Sequence, residues 1–301
     1  TVYDKKGLEE LGEGAMELER EGVRFVKGFD EIEGDILFRS PGIRPDADGI
    51  LGAIGKGAVL TSEIEMLLSM TPAATFAITG SDGKTTSTTL CGKFLEAAGA
   101  RVFVGGNIGT PLLDKCDEMT ERDACVLELS SFQLMRLPHA PAYAAITNVS
   151  PNHLNWHVGF EEYVEAKKNI VGKKTKRLVV NADCEITRDF GKEIAESGRE
   201  VIFFSSSRAN YNEIVGGSYP NAKASYRRDG VICISDGESE TELLSESEIR
   251  LPGVHNIENY MTAMALTYGY VDKSAYREGA LEFTGVEHRL ELVRTLRGVD
   301  Y

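Results

Sequence analysis

The arrangement that most constrains the fold is a strand, a glycine-bounded loop and a helix in direct succession. Residues 75–79 form a short apolar run typical of a buried strand, and residues 84–98 carry their large apolar side chains on one helical face. Gly99 stands where that helix is expected to end, and residues 101–104 supply the next strand. A strand–helix–strand unit of this kind predicts a parallel sheet covered by helices.

The loop inside this unit has the composition of a phosphate-binding loop. Its residues are Gly80, Ser81, Asp82, Gly83, Lys84, Thr85 and Thr86. Glycines let backbone N–H groups converge on phosphate oxygens, and the start of a helix adds positive potential. Lys84 would then reach the terminal phosphates of a bound nucleotide, and the Thr85 hydroxyl would bind Mg²⁺. The spacing is GxxGKT, because Ile78 occupies the place of the first glycine of the longer motif, and a plain glycine turn before a helix is the alternative.

Length and charge narrow the class of protein further. The chain has 301 residues, a formal charge of −14 and 42% hydrophobic residues, values of a globular protein with roughly two domains. The acidic excess argues against nucleic acid as the main partner, although it leaves room for a local basic pocket. No apolar run approaches the ~20 residues of a membrane span. The five scattered cysteines include no CxxC pair and predict reduced thiols in the cytoplasm.

The rest of the chain continues the alternation of strands and helices. Strands are predicted at 124–129, 142–148, 177–181, 201–204 and 231–235, and helices at 160–171 and 257–266. The first 60 residues alternate short strands with a charged helix at 8–21 and amount to less than a full domain. We therefore predict an α/β protein with a mostly parallel sheet. Its predicted parts are a partial Rossmann-like domain at 1–63, a P-loop-type ATP-binding central domain at 64–285, and a linker or stub of a further domain at 286–301.

Three further residues could add metal chemistry. Glu128 ends a predicted strand, where ligands of parallel sheets collect, although a solvated or capping carboxylate is the alternative. His153 follows another strand, but most lone histidines are structural. Lys167 lies on a helix, where most lysines are solvated. A desolvated, neutral lysine amine can instead react with carbon dioxide, and the resulting carbamate is an anionic metal ligand.

Eight segments of the chain resemble, in order and spacing, those of the Mur ligase family. They are 40–43 (SPGI), 80–86 (GSDGKTT), 106–109 (GNIG), 128–134 (ELSSFQL), 152–155 (NHLN), 166–167 (AK), 251–259 (LPGVHNIEN) and 288–291 (HRLE). The phosphate loop alone is shared with a wider group that includes folylpolyglutamate synthases. The ELSSFQL and HRLE segments are similar to those of the family member that adds D-glutamate.

The resemblance implies an ATP-dependent carbon–nitrogen ligase of peptidoglycan precursor synthesis, and so of cell-wall biogenesis, cell shape and cell division. ATP would phosphorylate the carboxylate of UDP-N-acetylmuramoyl-L-alanine, and the amine of D-glutamate would attack the acyl phosphate. The expected cofactors are ATP and Mg²⁺ at two sites, with Lys167 carbamylated. The expected partners are these small molecules, with no nucleic acid and no membrane, and we expect a cytoplasmic monomer.

The resemblance also implies roles for individual residues. The catalytic residues would be Lys84, His153 and Lys167. ATP would be bound by Gly80, Ser81, Asp82, Gly83, Lys84, Thr85, Thr86, Asn256 and Asn259. The metal ligands would be Thr85, Glu128, His153 and Lys167. The muramoyl substrate would be bound by Asp4, Ser40, Pro41, Gly42, Asn107 and Ser130.

Two features depart from the family pattern. Asn152 and Asn155 stand where the family has aspartates beside the metal histidine. The chain begins at Thr1 and ends at Tyr301, and we expect it to be truncated at both ends, without the third domain and without full activity. Two alternative functions stay open: another Mur or folylpolyglutamate-type ligase that adds a different amino acid, and a nucleotide-binding module that has lost catalysis.

Overall fold

The computed structural model describes residues 1–251 and 253–285, together with the backbone of two short antiparallel strands, Thr295–Leu296 and Val299–Asp300. The HRLE segment at 288–291 lies outside the described residues, as do Pro252 of the LPGVHNIEN segment and most of the stub predicted at 286–301. The chain divides into two compact units, residues 1–66 and residues 67–301.

The first unit is built from short elements. They are β1 (Val2–Asp4), α1 (Leu8–Leu11), α2 (Glu13–Arg20), β2 (Phe25–Lys27), β3 (Ile36–Phe38), α3 (Asp48–Gly55), β4 (Val59–Thr61) and α4 (Glu63–Met70), which crosses the unit boundary. β1 pairs in parallel with β2, and β3 pairs in parallel with β4, so that the unit holds two separate two-stranded sheets. The single helix predicted at 8–21 was wrong, because Gly12 adopts a φ of +86° and divides it into α1 and α2.

The second unit repeats the strand–helix alternation with longer elements. They are β5 (Ala74–Thr79), α5 (Lys84–Ala97), β6 (Val102–Gly106), β7 (Ala124–Glu128), α6 (Ser131–Leu134), β8 (Tyr143–Ile146), α7 (Phe160–Lys168), β9 (Arg177–Asn181), α8 (Glu185–Glu196), β10 (Glu200–Ser205), α9 (Tyr211–Val215), β11 (Ala222–Arg228), β12 (Val231–Ser235), β13 (Glu240–Ser245), α10 (Val254–Thr267) and α11 (Lys273–Glu282). Two 3₁₀ turns, Leu113–Glu118 and Glu246–Glu248, complete the described elements. Each described helix is too short or too polar to cross a lipid bilayer.

The nine strands β5 to β13 of the second unit form one sheet, in the order β13-β12-β11-β10-β9-β8-β5-β7-β6, and the two short strands at 295–296 and 299–300 pair separately. Every pair from β6 to β11 along that order is parallel, whereas the β11–β12 and β12–β13 pairs are antiparallel. The predicted α/β fold with a mostly parallel sheet is therefore confirmed. Since β5 lies between β7 and β8, the segments that follow these three strands emerge side by side at one edge of the sheet.

The helix α5 places the loop that precedes it. Its residues Leu90 and Phe94 are fully buried, in a cluster with Phe76 of β5, Val126 of β7 and Tyr260 of α10. This packing holds the first turn of α5 directly behind the carboxyl end of β5. The predicted end of the helix is also confirmed, since Gly99 follows it with a φ of +85°.

Candidate nucleotide and metal site

The phosphate loop is shaped by hydrogen bonds with the two residues that follow the neighbouring strand β8, Thr147 and Asn148. The backbone N–H of Ser81 donates to the carbonyl of Asn148 at 2.9 Å, and the N–H of Asp82 donates to Asn148 Oδ1 at 3.0 Å. The hydroxyl of Thr147 donates to the carbonyl of Asp82 at 2.6 Å. The sequence did not single out Thr147 or Asn148, because only the strand order brings the end of β8 against the loop.

Two glycines of the loop leave no room for a side chain. A Cβ on Gly80 would lie 1.8 Å from Thr147 Oγ1, and a Cβ on Gly83 would lie 2.3 Å from Asn259 Oδ1. Gly83 has a φ of +79° and is the residue before the first turn of α5. The loop can therefore present the unpaired N–H groups at the start of α5 to an anion.

The lysine of the loop folds back over it. Lys84 Nζ donates to the carbonyls of Gly80 and Ser81, each at 3.0 Å. Thr85 and Thr86 follow in the first turn of α5 and are partly exposed. A lysine held directly over the loop can turn from these carbonyls to phosphate oxygens with little movement.

Glu128 is a buried carboxylate with one unsatisfied oxygen. It is the last residue of β7, faces Ile78 of β5 in register, and is 2% exposed. Asn107 Nδ2 donates to its Oε1 at 2.8 Å, whereas its Oε2 has no hydrogen-bond partner among the described residues. Buried carboxylate oxygens are normally hydrogen-bonded or bound to a metal, so this donor set fits a Mg²⁺ ion. In the described ranges no group of three or more His, Cys, Asp and Glu side chains could hold a metal by itself.

Lys167 brings a buried amine to the same loop. The residue is 2% exposed, and its Nζ donates to the carbonyl of Gly80 at 2.8 Å and to Thr79 Oγ1 at 3.4 Å. Burial, followed by the positive charge of Lys84, lowers the pKa of Lys167 to about 7, although Asp82 and Glu128 oppose the shift. A large fraction of this amine is thus neutral at physiological pH.

Tyr163 connects the loop to the lysine and was missed by the sequence reasoning. Its ring lies 4.5 Å below Lys167 Nζ, and its hydroxyl lies 2.9 Å from Ser81 Oγ. Because the Ser81 hydroxyl donates to the carbonyl of Ser150 at 2.9 Å, the Tyr163 hydroxyl is the donor to Ser81. The available signal was spacing, since residues four apart share one face of a helix.

The predicted metal histidine lies at the surface. His153 is exposed, has a φ of +54° and donates its backbone N–H to Asn152 Oδ1 at 2.8 Å. Its ring packs edge-on against Phe132 at 5.1 Å between centroids. Among the described residues the ring makes no hydrogen bond with Glu128 or Lys167. The fold therefore brings Glu128, Lys84 and Lys167 to the loop without placing His153 in contact with them.

The remaining predicted residues of the second unit lie on three elements. Asn259 is 7% exposed and accepts a hydrogen bond from Ser87 Oγ at 3.2 Å, and Asn256 is 4% exposed on the same helix α10. Asn107 holds Glu128, as described above. Ser130 caps α6, where its hydroxyl accepts the N–H of Gln133.

The predicted substrate residues of the first unit surround two strand ends. Asp4 ends β1 and accepts the N–H of Lys6 at 2.8 Å. Ser40, Pro41 and Gly42 form the turn after β3, and the guanidinium of Arg39 donates to the carbonyl of Ile43 at 2.7 Å across this turn. Ser40 also borders a cavity of about 500 Å³ within the unit.

The central phosphate loop and the buried carboxylate beside it define a nucleotide-binding α/β protein of the P-loop type. Residues 78–267 match the family described as the Mur ligase middle domain. The chain belongs to the Mur ligase family, as the resemblance in sequence predicted.

Curated relatives match the chain from end to end. The UDP-N-acetylmuramoylalanine–D-glutamate ligase of Ruminiclostridium cellulolyticum is 45% identical over 307 residues, and that of Acetivibrio thermocellus is 43% identical over the same length. Each match covers 100% of this chain and 63% of the relative, so the chain spans less than two thirds of their length.

Solved structures share the fold at lower identity. A UDP-N-acetylmuramoyl-L-alanyl-D-glutamate–2,6-diaminopimelate ligase superposes with a TM-score of 0.61 at 17% identity, over 89% of this chain and 66% of that chain. The UDP-N-acetylmuramate–alanine ligase of Thermotoga maritima superposes with a TM-score of 0.55 at 19% identity, over 94% and 63%. At such identities the likeness shows the fold alone.

Proposed function

We propose that the protein is an ATP-dependent carbon–nitrogen ligase that adds D-glutamate to UDP-N-acetylmuramoyl-L-alanine. The observation that carries the proposal is the phosphate loop at the centre of the sheet with the half-satisfied carboxylate of Glu128 beside it. The substrate is supported by the two relatives of that name, which are 45% and 43% identical over the whole chain. In this proposal residues 1–63 bind the UDP moiety and residues 64–285 bind ATP, in a cytoplasmic monomer.

ATP is held by the loop that the fold has built. Members of the Mur ligase family depend on ATP and Mg²⁺. The N–H groups of the loop and the ammonium of Lys84 bind the phosphates, and Thr85 and Glu128 hold the metal. A Mg²⁺ ion held there would supply positive charge against the phosphates during phosphoryl transfer. Asn256 and Asn259 lie on α10 and contact the adenine.

The reaction consists of two displacements. A carboxylate oxygen of the muramoyl substrate attacks the γ-phosphorus of ATP, the bond to the β-phosphate oxygen breaks, and ADP leaves with its electron pair. The amine of D-glutamate then attacks the acyl carbon, loses a proton and expels inorganic phosphate. Lys84 stabilises the charge that develops in the first step, and Asn107 and Ser130 position the substrate carboxylate.

Lys167 takes part as a carbamate. Its neutral amine attacks carbon dioxide, and a proton is released as the N–C bond forms, so that an uncharged amine becomes an anionic carbamate. The lowered pKa of about 7 supports this reaction, because only the unprotonated amine is nucleophilic. The carbamate and His153 would hold the second Mg²⁺ ion.

The nucleotide site is tested with ADP and two lysine variants of the same helix. Lys84→Ala should weaken ADP binding in MgCl₂ by about 100-fold, roughly 2.7 kcal/mol, because a charge-assisted contact to the phosphates is lost. Lys93→Ala is the matched control, since Lys93 lies further along α5 and pairs with Glu96 at 2.9 Å. Equal affinities of the two variants, measured by titration calorimetry, would contradict the proposed role of the loop.

The substrate and the alternatives are separated by two further measurements. Phosphate release from ATP by the full-length protein, in the presence of the muramoyl substrate, should require D-glutamate, whereas dependence on L-glutamate or a diamino acid would favour another ligase of the family. In buffer with ¹³C-bicarbonate, a carbamate carbon signal should appear in the wild type and be absent from Lys167→Ala. ADP binding without that signal would favour a nucleotide-binding module without catalysis.

A further inference from the structure

A chain of hydrogen bonds joins two buried side chains and one partly buried side chain beside the candidate site. His157 Nε2 lies 2.9 Å from Ser131 Oγ, and His157 Nδ1 lies 3.0 Å from Glu162 Oε2. The same carboxylate oxygen accepts the backbone N–H of Val158 at 3.0 Å. The side chain of His157 is 0% exposed, and Ser131 is 3% exposed. We refer to these three side chains, Ser131, His157 and Glu162, as the Ser–His–Glu relay.

The hydrogen positions in the relay follow from its partners. An ionised glutamate only accepts hydrogen bonds, so Nδ1 of His157 carries a proton and donates to Glu162. In the neutral ring Nε2 is then an acceptor, and the hydroxyl of Ser131 donates to it. Both ring nitrogens are thus satisfied, which is the usual requirement for a fully buried imidazole.

The same order of serine, histidine and carboxylate occurs in hydrolases, but burial excludes that role here. A nucleophilic hydroxyl has to reach substrate in an open cleft. Ser131 is enclosed at the start of α6. The rings of Phe132, Trp156 and Tyr163 surround His157 at centroid distances of 5.6, 4.8 and 5.4 Å. The relay therefore does not react with a substrate, and its role is to hold segments of the protein in place.

The relay joins three segments that each carry a predicted site residue. Its serine begins α6, three residues after Glu128. Its histidine follows the loop that carries His153, a loop whose residues 151–155 are all exposed. Its glutamate lies in the first turn of α7, the helix that carries Lys167. The buried histidine is thus the anchor of an otherwise exposed loop.

We propose that His157 is a positioning residue, which through the Ser–His–Glu relay fixes the loop of His153 and the helix of Lys167 against the end of β7. It thereby sets the geometry of the metal-binding half of the nucleotide site. This inference rests on the proposed function, because the site is one for a metal-bound nucleotide. Loss of a hydrogen bond that orients a metal ligand typically costs about 10- to 100-fold in metal affinity or activity.

The test compares His157→Phe with the wild type. Phenylalanine keeps the volume and the aromatic contacts of the ring but removes both hydrogen bonds. ADP affinity is measured by calorimetry in MgCl₂ and again in EDTA. We expect the ratio of the two affinities to fall about tenfold in the variant, because only the metal-dependent part of binding needs the relay. A purely structural role would lower both affinities together.

Three further variants make the result specific to the relay. Glu162→Gln keeps an oxygen that accepts both N–H groups and should retain the wild-type ratio, whereas Glu162→Leu should lose it as His157→Phe does. Tyr270→Phe removes the 2.8 Å hydrogen bond between the hydroxyls of Tyr270 and Tyr143. Tyr143 is the first residue of β8, so this bond lies at the amino ends of the parallel strands, whereas the nucleotide site lies at their carboxyl ends. This variant controls for a general loss of stability, which thermal unfolding measures in parallel.

The outcomes separate the inference from the proposed function. A wild-type ratio in His157→Phe, or an equal fall of the ratio in Tyr270→Phe, overturns the positioning role while the nucleotide site stands. A wild-type protein that binds no ADP in MgCl₂ overturns the proposed function, and the inference with it. The predicted pattern across all four variants supports both.

Discussion

The two units of the chain use the same alternation of strands and helices, but they bury their strands to different degrees. In the second unit Phe76 of β5 and Val126 of β7 are 0% exposed. In the first unit Ile36, Phe38 and Val59 lie on strands and are 62%, 58% and 60% exposed. The apolar cluster of the first unit has three buried members, Ile32, Ile50 and Ala53, and the other apolar side chains packed against them are only partly buried.

The difference follows from how parallel sheets are stabilised. Such sheets normally have helices on both faces and neighbours on both sides of each inner strand. The nine-stranded sheet of the second unit meets this condition, and its central strands end at the phosphate loop. The two two-stranded sheets of the first unit do not meet it. We therefore expect the second unit to be the rigid part that holds the nucleotide site and the first unit to unfold at lower free energy.

A matched pair of core substitutions tests this expectation with the largest predicted effect. Ile202→Ala in β10, where the side chain is 0% exposed, should cost about 4 kcal/mol, because it opens a cavity in a close-packed core. Ile50→Ala in α3, where the side chain is 4% exposed, should cost about 2 kcal/mol, because the smaller cluster can collapse around the cavity.

Native-state hydrogen exchange separates the two effects by unit. Ile202→Ala should raise exchange throughout the second unit, and Ile50→Ala should raise it only within residues 1–66. Equal losses in both units would show that they unfold as one cooperative body.

Two ion pairs, one in each unit, should show the second largest difference in their contribution to stability. Arg177 is 9% exposed at its side chain, and it donates to Glu200 Oε2 at 2.7 Å and to the carbonyl of Tyr268 at 2.6 Å, just after α10 ends. Arg177→Met should cost about 3 kcal/mol, because buried acceptors lose their partner. Lys27→Met removes the exposed pair with Glu10 in the first unit and should leave the urea midpoint unchanged. A similar shift of the urea midpoint in both variants would contradict the expectation that the buried ion pair stabilises the protein more than the exposed one.

How far the fold could be predicted also differs between elements. The strands β5 to β10 and the helix α5 were foreseen, because apolar runs and a one-sided apolar face are local properties of the sequence. The helix α8 was missed, since Gly191 lies inside it. Without a side chain, Gly191 lets the helix approach the sheet closely, and a Cβ there would lie 2.6 Å from Val180 and 2.8 Å from Phe203. That close approach is a tertiary property that no local pattern encodes.

The residues of the candidate site also differ in how far the sequence could predict them. Glu128 and the loop could be predicted, because strand ends and glycine spacing are visible in the sequence. The burial of Lys167, which lowers its pKa, depends on α7 lying against the loop. The pairing of His157 with Ser131, 26 residues apart, depends on how α6 and the loop after β8 fold together. Residues that position the site residues without contacting a ligand are thus the ones that sequence alone leaves unassigned.

The third prediction concerns a charge that the second unit buries. Lys167 has a pKa of about 7 in the folded protein and 10.5 as its ordinary value, so between these pH values the unfolded chain binds more protons. Its contribution to stability therefore rises with pH across this window and is constant below it. Between pH 7 and pH 9 the wild type should gain about 2 kcal/mol relative to Lys167→Met.

The measurement is urea unfolding at both pH values in buffers freed of carbon dioxide, so that no carbamate forms. Lys56→Met is the control from the first unit, where the lysine is exposed, and it should keep the wild-type pH dependence. An unchanged pH dependence in Lys167→Met would show that water reaches the amine in solution.

The smallest effect is expected on the exposed strands of the first unit. Ile36 and Val59 face each other in register on β3 and β4. Threonine keeps the branched shape that strands favour, and an exposed apolar side chain has little burial to lose, so the double change to threonine should cost less than about 0.5 kcal/mol. Ile234→Thr in β12, where the side chain is 2% exposed, should cost about 2 kcal/mol or more, because it buries a hydroxyl. A cost above about 1 kcal/mol for the double variant would show that the side chains of Ile36 and Val59 are covered by another surface in solution. The strands of the first unit would then be stabilised by a binding partner and would not be weakly packed.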